Sequence, residues 1–301
     1  MRHSSVSRPF RSRLLRKLVR NTPLNDGYTL ALDIGGRRFV TPVIDGLANE
    51  GPDPAMAELL GKVLPMLEDS FLDIGANVGQ TLLAMRAAAP DMPYVGLEPN
   101  ISCAAYMRTL VRRNGLSGTL VVPVALMERA CILQMSQYSA SEIDPSATLV
   151  ADFRPEKAVA GTLHVPAFPW AEIEPLMEGR RFGFIKIDVE GAELEVLREI
   201  APLLRSSRPW LAIEILPAYS ADYANRLPRQ EAIEAILKDA SYEILRIKRD
   251  VSQGLSHLEH LDTIGIHDVV ADSDYLMVPS EAMGRLSVLP MKPAGTATRA
   301  A

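Results

Sequence analysis

The 301-residue chain has only two cysteines, Cys103 and Cys131. They are too few for a disulfide framework and lack the spacing of a zinc site or a CxxC redox pair, so both read as reduced thiols. No apolar run approaches the roughly 18 to 20 residues of a membrane-spanning helix. The first residues also lack an apolar stretch ending in a small-residue cleavage site, and the expectation is a soluble cytoplasmic protein. Internal repeats and low-complexity tracts are absent. Acid is missing from the first twenty residues, which carry Arg2, Arg8, Arg11, Arg13, Arg16, Lys17 and Arg20, whereas the rest of the chain has 25 basic against 37 acidic residues. In that arm Phe10, Leu14, Leu15, Leu18 and Val19 recur at helical spacing. The pattern suits a weak membrane-surface contact through residues 1–20, and equally a solvated or edge-packing helix. The acidic body offers no footprint for nucleic acid.

What is present is enough apolar sequence, 48% against 23% charged, to bury a substantial core. Alternating residues at 28–34 and a β-prone run at 38–44 after Gly35-Gly36 predict a small hairpin. Met56, Leu59, Leu60, Val63 and Leu67 predict a helix broken late by Pro65. Short apolar runs then alternate with amphipathic segments, as in a parallel sheet covered by crossover helices. Strands are predicted at 70–74, 94–97, 119–123, 184–187 and 210–215, and helices at 80–89, 102–114 and 193–204. A helix at 228–239 and strands at 242–248 and 275–279 complete a mostly parallel seven-stranded α/β sheet with an antiparallel last strand and helices on both faces. This ending differs from a six-strand dinucleotide fold. The polar stretch at 131–169 interrupts the alternation and is read as a long substrate-side lid. The expected organisation is a basic arm and hairpin at 1–54, a main domain at 55–285 and a frayed tail at 286–301.

The run Phe71-Leu72-Asp73-Ile74-Gly75-Ala76-Asn77-Val78-Gly79-Gln80-Thr81 passes from a buried strand straight into a helix, where a ligand at the C-terminal ends of parallel strands would meet it. Gly75 and Gly79 remove Cβ atoms at a sharp turn, and Asn77 tolerates the left-handed region. Strained dihedrals are therefore expected at three alternate positions. A nicotinamide enzyme would place glycines as G-x-G-x-x-G to seat a pyrophosphate; here Asn77 and Gln80 stand at the second and third places. Asp73 can accept hydrogen bonds near a ligand ammonium group. Glu98, at the end of the next strand, can accept from two ribose hydroxyls, and Pro99 and Asn100 turn the chain away.

These residues resemble the FkbM-type S-adenosylmethionine-dependent methyltransferases. The resemblance runs through residues 71–79, Gly96-Leu97-Glu98-Pro99-Asn100, residues 185–197 and Arg208-Pro209-Trp210-Leu211-Ala212-Ile213-Glu214, in the family's order. It implies a class I Rossmann-like methyltransferase fold, S-adenosyl-L-methionine as cofactor, and methyl transfer to a hydroxyl of a sugar, glycolipid or polyketide-like acceptor. Carried over by position, Asp73, Gly75, Ala76, Asn77 and Gly79 line the methionine part of the cofactor, and Glu98 with Pro99 and Asn100 its ribose. Ala125 and Leu126 look like the turn under the adenine, although Met127-Glu128-Arg129 departs from the family's small polar residues.

Methyl transfer from a sulfonium is largely a matter of positioning the acceptor, and an alcohol must also lose its proton to a base or a metal. Asp188 ends the fourth strand at the same rim as Asp73 and Glu98 and is the first candidate for base or acceptor-orienting group, with Glu190 and Glu214 beside it as further candidate catalytic acids. Scattered carboxylates carry little ligand specificity, and no metal is assigned to the three. Glu193 and Glu195 complement a helix macrodipole and read as structural. Lys186, inside an apolar strand, needs a partner such as Asp188 or Glu214. His164, His257, His260 and His267 are read in loops, as solvent contacts, and Tyr138 and Trp170 either stack on the acceptor or pack the lid. The alternatives are an NAD-dependent oxidoreductase, opposed by the missing glycines and the absence of a Tyr-x-x-x-Lys pair, and a catalytically idle cofactor-binding protein.

Overall fold

The computed structural model describes residues 29–44, 48–139, 143–144, 146–150, 153, 157–219 and 226–293. The basic arm and residues 294–301 lie outside these, so neither the membrane-surface reading nor the far tail is addressed. Strands β1 (Thr29–Ile34) and β2 (Arg37–Pro42) form the expected antiparallel hairpin. Helix α1 (Pro54–Val63) starts where Asp53 caps it, its side chain accepting from Met56 N, with Pro54 in the first turn. Then follow β3 (Ser70–Ile74), α2 (Gln80–Ala88), β4 (Tyr94–Leu97), α3 (Ile101–Asn114) and β5 (Thr119–Val122). The hairpin is tied to the end of α3, where the Asn114 amide exchanges two 2.7 Å hydrogen bonds with the backbone of Val40.

The segment read as a lid loop is instead largely sheet. Short β6 (Ala125–Leu126) pairs in parallel with β8 (Gly161–Phe168), which pairs antiparallel with β7 (Cys131–Gln137). Apolar residues do alternate there, at Leu133 and Met135 and at Leu163, Val165 and Ala167, but each strand buries only its C-terminal part, so the stretch reads as polar. A four-residue helix α4 (Trp170–Ile173) leads to β9 (Phe182–Ile187), α5 (Glu193–Ser206), β10 (Trp210–Glu214), α6 (Leu227–Asp239), β11 (Tyr242–Arg249), β12 (Leu255–Leu261), β13 (Asp274–Pro279) and β14 (Met291–Pro293).

The large sheet has the order β14-β12-β11-β13-β10-β9-β3-β4-β5. Strands β5, β4, β3, β9 and β10 are parallel, and β13 enters antiparallel to β10. The seven anticipated strands lie side by side, giving the mostly parallel sheet with an antiparallel last strand and helices on both faces that the resemblance implies. Two strands beyond the seven extend the β11 edge. β12 escapes notice because Leu255, Leu258 and Leu261 recur every third residue, and a bulge opposite Lys248/Arg249 shifts its register. The expected frayed tail at 286–301 is corrected in part: Leu286 is fully buried and Met291–Pro293 pairs with β12.

Alternate strand residues feed two cores. Phe71, Phe184, Trp210 and Leu276 pack with α1, α2 and α3, while Leu72, Ile185, Leu211 and Met277 pack with α5 and α6. Covering on both faces explains why the central strands read as nearly continuous apolar runs. It also makes Asp73 and Lys186, which are register partners on adjacent strands, conspicuous as charged groups on the α1 side. Among the described residues no helix is long and apolar enough to cross a membrane.

Candidate active site

The glycine loop takes the conformation its residues predict. Gly75, Asn77 and Gly79 have φ of +87°, +47° and +83°, and Gly75 N and Ala76 N both donate to Leu97 O. A Cβ on Gly75 would lie 1.8 Å from the carbonyl oxygen of Asp188. The same two strand ends are laced by Asp188 N donating to Ile74 O at 3.0 Å. Only glycine allows the loop and the end of β9 to approach so closely. At Gly79 the missing side chain makes room for Leu110 of α3, 3.1 Å from a notional Cβ.

Glu98 is 6% exposed, and each of its oxygens accepts one backbone N–H: Oε2 from Asn77 at 2.7 Å and Oε1 from Asn100 at 2.8 Å. Burial raises its pKa to about 7, against the lowering effect of these two bonds. The carboxyl group thus fastens the glycine loop to the turn after β4, and each oxygen keeps a lone pair for a ligand.

A cavity of about 240 Å³ lies over these ends of β3, β4 and β9. Of the candidate cofactor-binding residues, Gly75, Asn77, Glu98, Pro99, Asn100, Ala125 and Leu126 line it, as do Asp188 and Glu190. Ala76 instead lines a neighbouring cavity, and Gly79 lines neither. Asp73 is also outside both walls. It is fully enclosed, and Tyr94 donates its hydroxyl proton to Asp73 Oδ2 at 2.5 Å. Its other oxygen has no hydrogen-bond partner among the described residues, and burial raises its pKa. Asp73 therefore supports the loop from beneath.

The sequence reading missed the wall supplied by Met135, Asp144, Ala147 and Leu149. These residues come from the segment read as a lid, and Asp144 organises it. Its carboxylate accepts from the backbone of Tyr138, Ser139 and Ser146 and from the Ser146 hydroxyl. Thr148 donates its hydroxyl to Glu190 O at 2.5 Å, and the Phe153 ring fills the space against Gly191, 2.7 Å from where a Cβ would stand. Tyr138 lies under Lys157 and Trp170 is buried; neither lines the cavity.

The acids at the end of the sheet converge. One carboxylate oxygen each from Asp188, Glu190 and Glu214 lies within 4.8 Å of the others. Such clusters are common without an ion, and no metal is assigned. Lys186 Nζ donates to Asp188 Oδ2 at 2.8 Å. Burial opposes the charge on Lys186, but Asp188 and Asp73 outweigh it and hold its pKa above the usual lysine range. Glu214 is pushed up to about 10 by burial and then by the charges of Asp188, Asp274 and Glu190, so at neutral pH it carries a proton. Glu193 and Glu195 are structural: Glu193 accepts from Gly191 N at 2.9 Å, and Glu195 pairs with Arg229.

The histidines are not in loops as expected, His267 apart. His164 is on β8, and His257 and His260 are on β12, where His260 contacts Glu243 at 2.9 Å. His267 contacts the Tyr275 hydroxyl at 3.0 Å. None lines the two cavities.

The model of the methyltransferase FkbM domain matches residues 73–244, from the glycine loop into β11. No curated protein matches the chain. Among solved structures, it is similar to methyltransferase FkbM from Methylobacillus flagellatus KT at 16% identity and a TM-score of 0.43, covering 70% of this chain and 43% of that one. The match spans less than half of that protein. It is similar to the O-methyltransferase TomG of Streptomyces achromogenes in complex with SAM at 12% identity, 76% and 83% coverage and a TM-score of 0.43. For the O-methyltransferase from Bacillus cereus in complex with SAH the identity is 12%, the coverage 89% and 88%, and the TM-score 0.41. At these scores the structural likenesses add nothing to the family match.

Proposed function

We propose that this chain, which belongs to the FkbM methyltransferase family, transfers a methyl group from S-adenosylmethionine to a hydroxyl oxygen of a small acceptor such as a sugar, glycolipid or polyketide-like natural product. The observation that carries the reading is the position of Asp188. Held by Lys186, it stands in the wall of the cavity lined by Gly75 and Glu98 and also in the wall of the cavity beside it. A carboxylate between two sites is where a base for a displacement between two ligands belongs.

The residues present fit the cofactor. Glu98 has lone pairs to accept from ribose hydroxyls, Ala125 and Leu126 offer an apolar wall to a purine, and Gly75 and Asn77 present backbone to the amino-acid end. The cofactor supplies a methyl group already activated on a sulfonium. The chain's part is to hold the acceptor in line, an entropic contribution that reaches roughly 7 to 11 kcal/mol in favourable cases, and to take its proton. Asp188 accepts the hydroxyl proton as the C–O bond forms and the C–S bond breaks. The ammonium of Lys186 donates to that carboxylate and orients it beforehand. Glu214, protonated beside it, adds no second negative charge.

The test is transfer of labelled methyl from S-adenosylmethionine into a cell extract by the wild-type protein and by Asp188→Asn, which keeps the shape and loses the base. Transfer is expected to fall on the order of 10²-fold or more, with S-adenosylhomocysteine binding within threefold of wild type. Undiminished transfer by the variant contradicts the assignment.

A further inference from the structure

Asp188 and Lys186 serve the transfer step, while Glu190, in the same cavity wall, has no part in it. One oxygen of Glu190 lies within 4.8 Å of an oxygen of Asp188 and of Glu214. The three acids nevertheless divide between two cavities: Glu190 lines the first alone, Asp188 lines both, and Glu214 lines only the neighbouring one, of about 260 Å³. Glu190 is thus the acid on the cofactor side of the point where the methyl group changes hands. The neighbouring wall also takes Asp53, Lys186 and Asp274, and cations answer its acids: Lys186 donates to Asp188 at 2.8 Å, and Arg249 bridges Asp274 and Asp53, the latter at 3.4 Å.

The backbone at Glu190 is unusual for a residue with a side chain. φ is +51° at Glu190 and +110° at Gly191, so two successive residues lie in the left-handed region, where a Cβ is disfavoured. Four neighbours hold the turn in that shape. Thr148 donates its hydroxyl to Glu190 O at 2.5 Å, Arg229 donates to Gly191 O at 2.8 Å, and Glu193 accepts from Gly191 N at 2.9 Å. The Phe153 ring stands where a side chain on Gly191 would be. Conformations of this kind persist where the surroundings over-determine them, and they gather at functional sites. Glycine would relax position 190; glutamate places a carboxylate at the cavity instead. Its charge adds to burial in pushing up the pKa of Glu214 and of Glu193.

We propose that Glu190 is a specificity-determining residue that senses the charge on the cofactor's sulfur, favouring the sulfonium of S-adenosylmethionine over the neutral thioether of S-adenosylhomocysteine. The inference rests on the methyl-transfer reading above and deepens it. The two ligands share adenine, ribose and the amino-acid end, and they differ by one methyl group and one positive charge. A carboxylate a few ångströms from that charge, in a cavity shielded from bulk water, attracts it far more than it would in solution. The attraction ends with the reaction: the C–S bond breaks, its electron pair stays on sulfur, and the acceptor's proton passes to Asp188. Glu190 then faces a neutral product, and the site again favours the charged donor over it.

The experiment titrates the full-length protein by calorimetry, with EDTA present, against S-adenosylmethionine, S-adenosylhomocysteine and sinefungin, which has an ammonium-bearing carbon in place of the sulfonium. In the wild type both cationic ligands are expected to bind about tenfold or more tighter than S-adenosylhomocysteine. Glu190→Gln keeps the shape and removes the charge. It should weaken the two cationic ligands about tenfold while S-adenosylhomocysteine affinity stays within threefold, which shows that the variant is folded. The inference is overturned if the wild type binds sinefungin or S-adenosylmethionine no more tightly than S-adenosylhomocysteine. It is overturned equally if the preference survives in Glu190→Gln, or if that variant weakens all three ligands in parallel. Wild-type binding of S-adenosylhomocysteine alongside any of these results leaves the proposed function standing. A wild-type protein that takes up none of the three ligands contradicts both.

Discussion

The backbone of Gly75 passes so close to that of Asp188 that a Cβ on the glycine would overlap the Asp188 carbonyl oxygen, at 1.8 Å. The contact locks the glycine loop to the strand end that carries the candidate base. Gly75 also sits at φ +87°, so a side chain is opposed twice. Gly75→Ala should destabilise the protein by about 3 kcal/mol or more. Gly36→Ala, at φ +79° with nothing within 4 Å of its notional Cβ, should cost only about 1 kcal/mol. Urea midpoints of the two variants check the difference, and equal losses would show that the close approach is not what requires Gly75.

Glu98 is expected to connect pH to cofactor affinity. Burial raises its pKa from 4.5 to about 7, so the folded protein holds a proton there that the unfolded chain has released. This contribution weakens stability as pH climbs from about 4.5 through 7, the sign expected for a carboxyl with a raised pKa. Ribose hydroxyls donate to the ionised form. S-adenosylhomocysteine affinity should thus rise about tenfold from pH 6 to pH 8, and Glu98→Gln should flatten the profile. Calorimetry across that range would show a flat wild-type profile if Glu98 does not face the ligand.

Lys186 is expected to act through Asp188. Lys186→Met removes the hydrogen bond and the charge while keeping much of the side chain's bulk. Methyl transfer should fall on the order of 10²-fold in kcat, with S-adenosylhomocysteine binding changed less than fivefold. Parallel losses in turnover and binding would instead mark Lys186 as part of the scaffold.

Asp144 orders the segment after β7 through four accepted hydrogen bonds, which hold its pKa below the ordinary carboxylate value against the effect of burial. Asp144→Ala should expose the amides of Tyr138, Ser139 and Ser146 to rapid hydrogen exchange and weaken S-adenosylhomocysteine about tenfold, since an Asx-type turn contributes on the order of 1 kcal/mol. Unchanged exchange at those amides would remove the segment's claimed dependence on this carboxylate.

The sheet and the conformation of the glycine loop were legible in the sequence because their signals are local. Asp73 to Gly79 couples a buried strand to a turn that only glycine and asparagine accept easily, and Glu98 ends the next apolar run. β7, β8 and β12 were not legible, for a physical reason: each buries a face along only part of its length, and a bulge breaks the period in β12. Asp53 and Asp274 were missed because neither carries a motif. They meet through Arg249, 196 and 25 residues away in sequence, and that proximity is a property of the sheet order. Asp73 illustrates the opposite limit. Its position at the strand end was read correctly, but the direction of its side chain, toward Tyr94 and away from the cavity, is decided by β4.

The claim on which the rest depends is that the cavity between Gly75, Glu98 and Ala125 holds S-adenosylmethionine. Calorimetric titration of the full-length protein with S-adenosylhomocysteine and, separately, with NAD tests it most directly. Micromolar S-adenosylhomocysteine binding that is lost in Glu98→Ala, with no heat from NAD, is the predicted result; binding of NAD in place of S-adenosylhomocysteine would contradict the account.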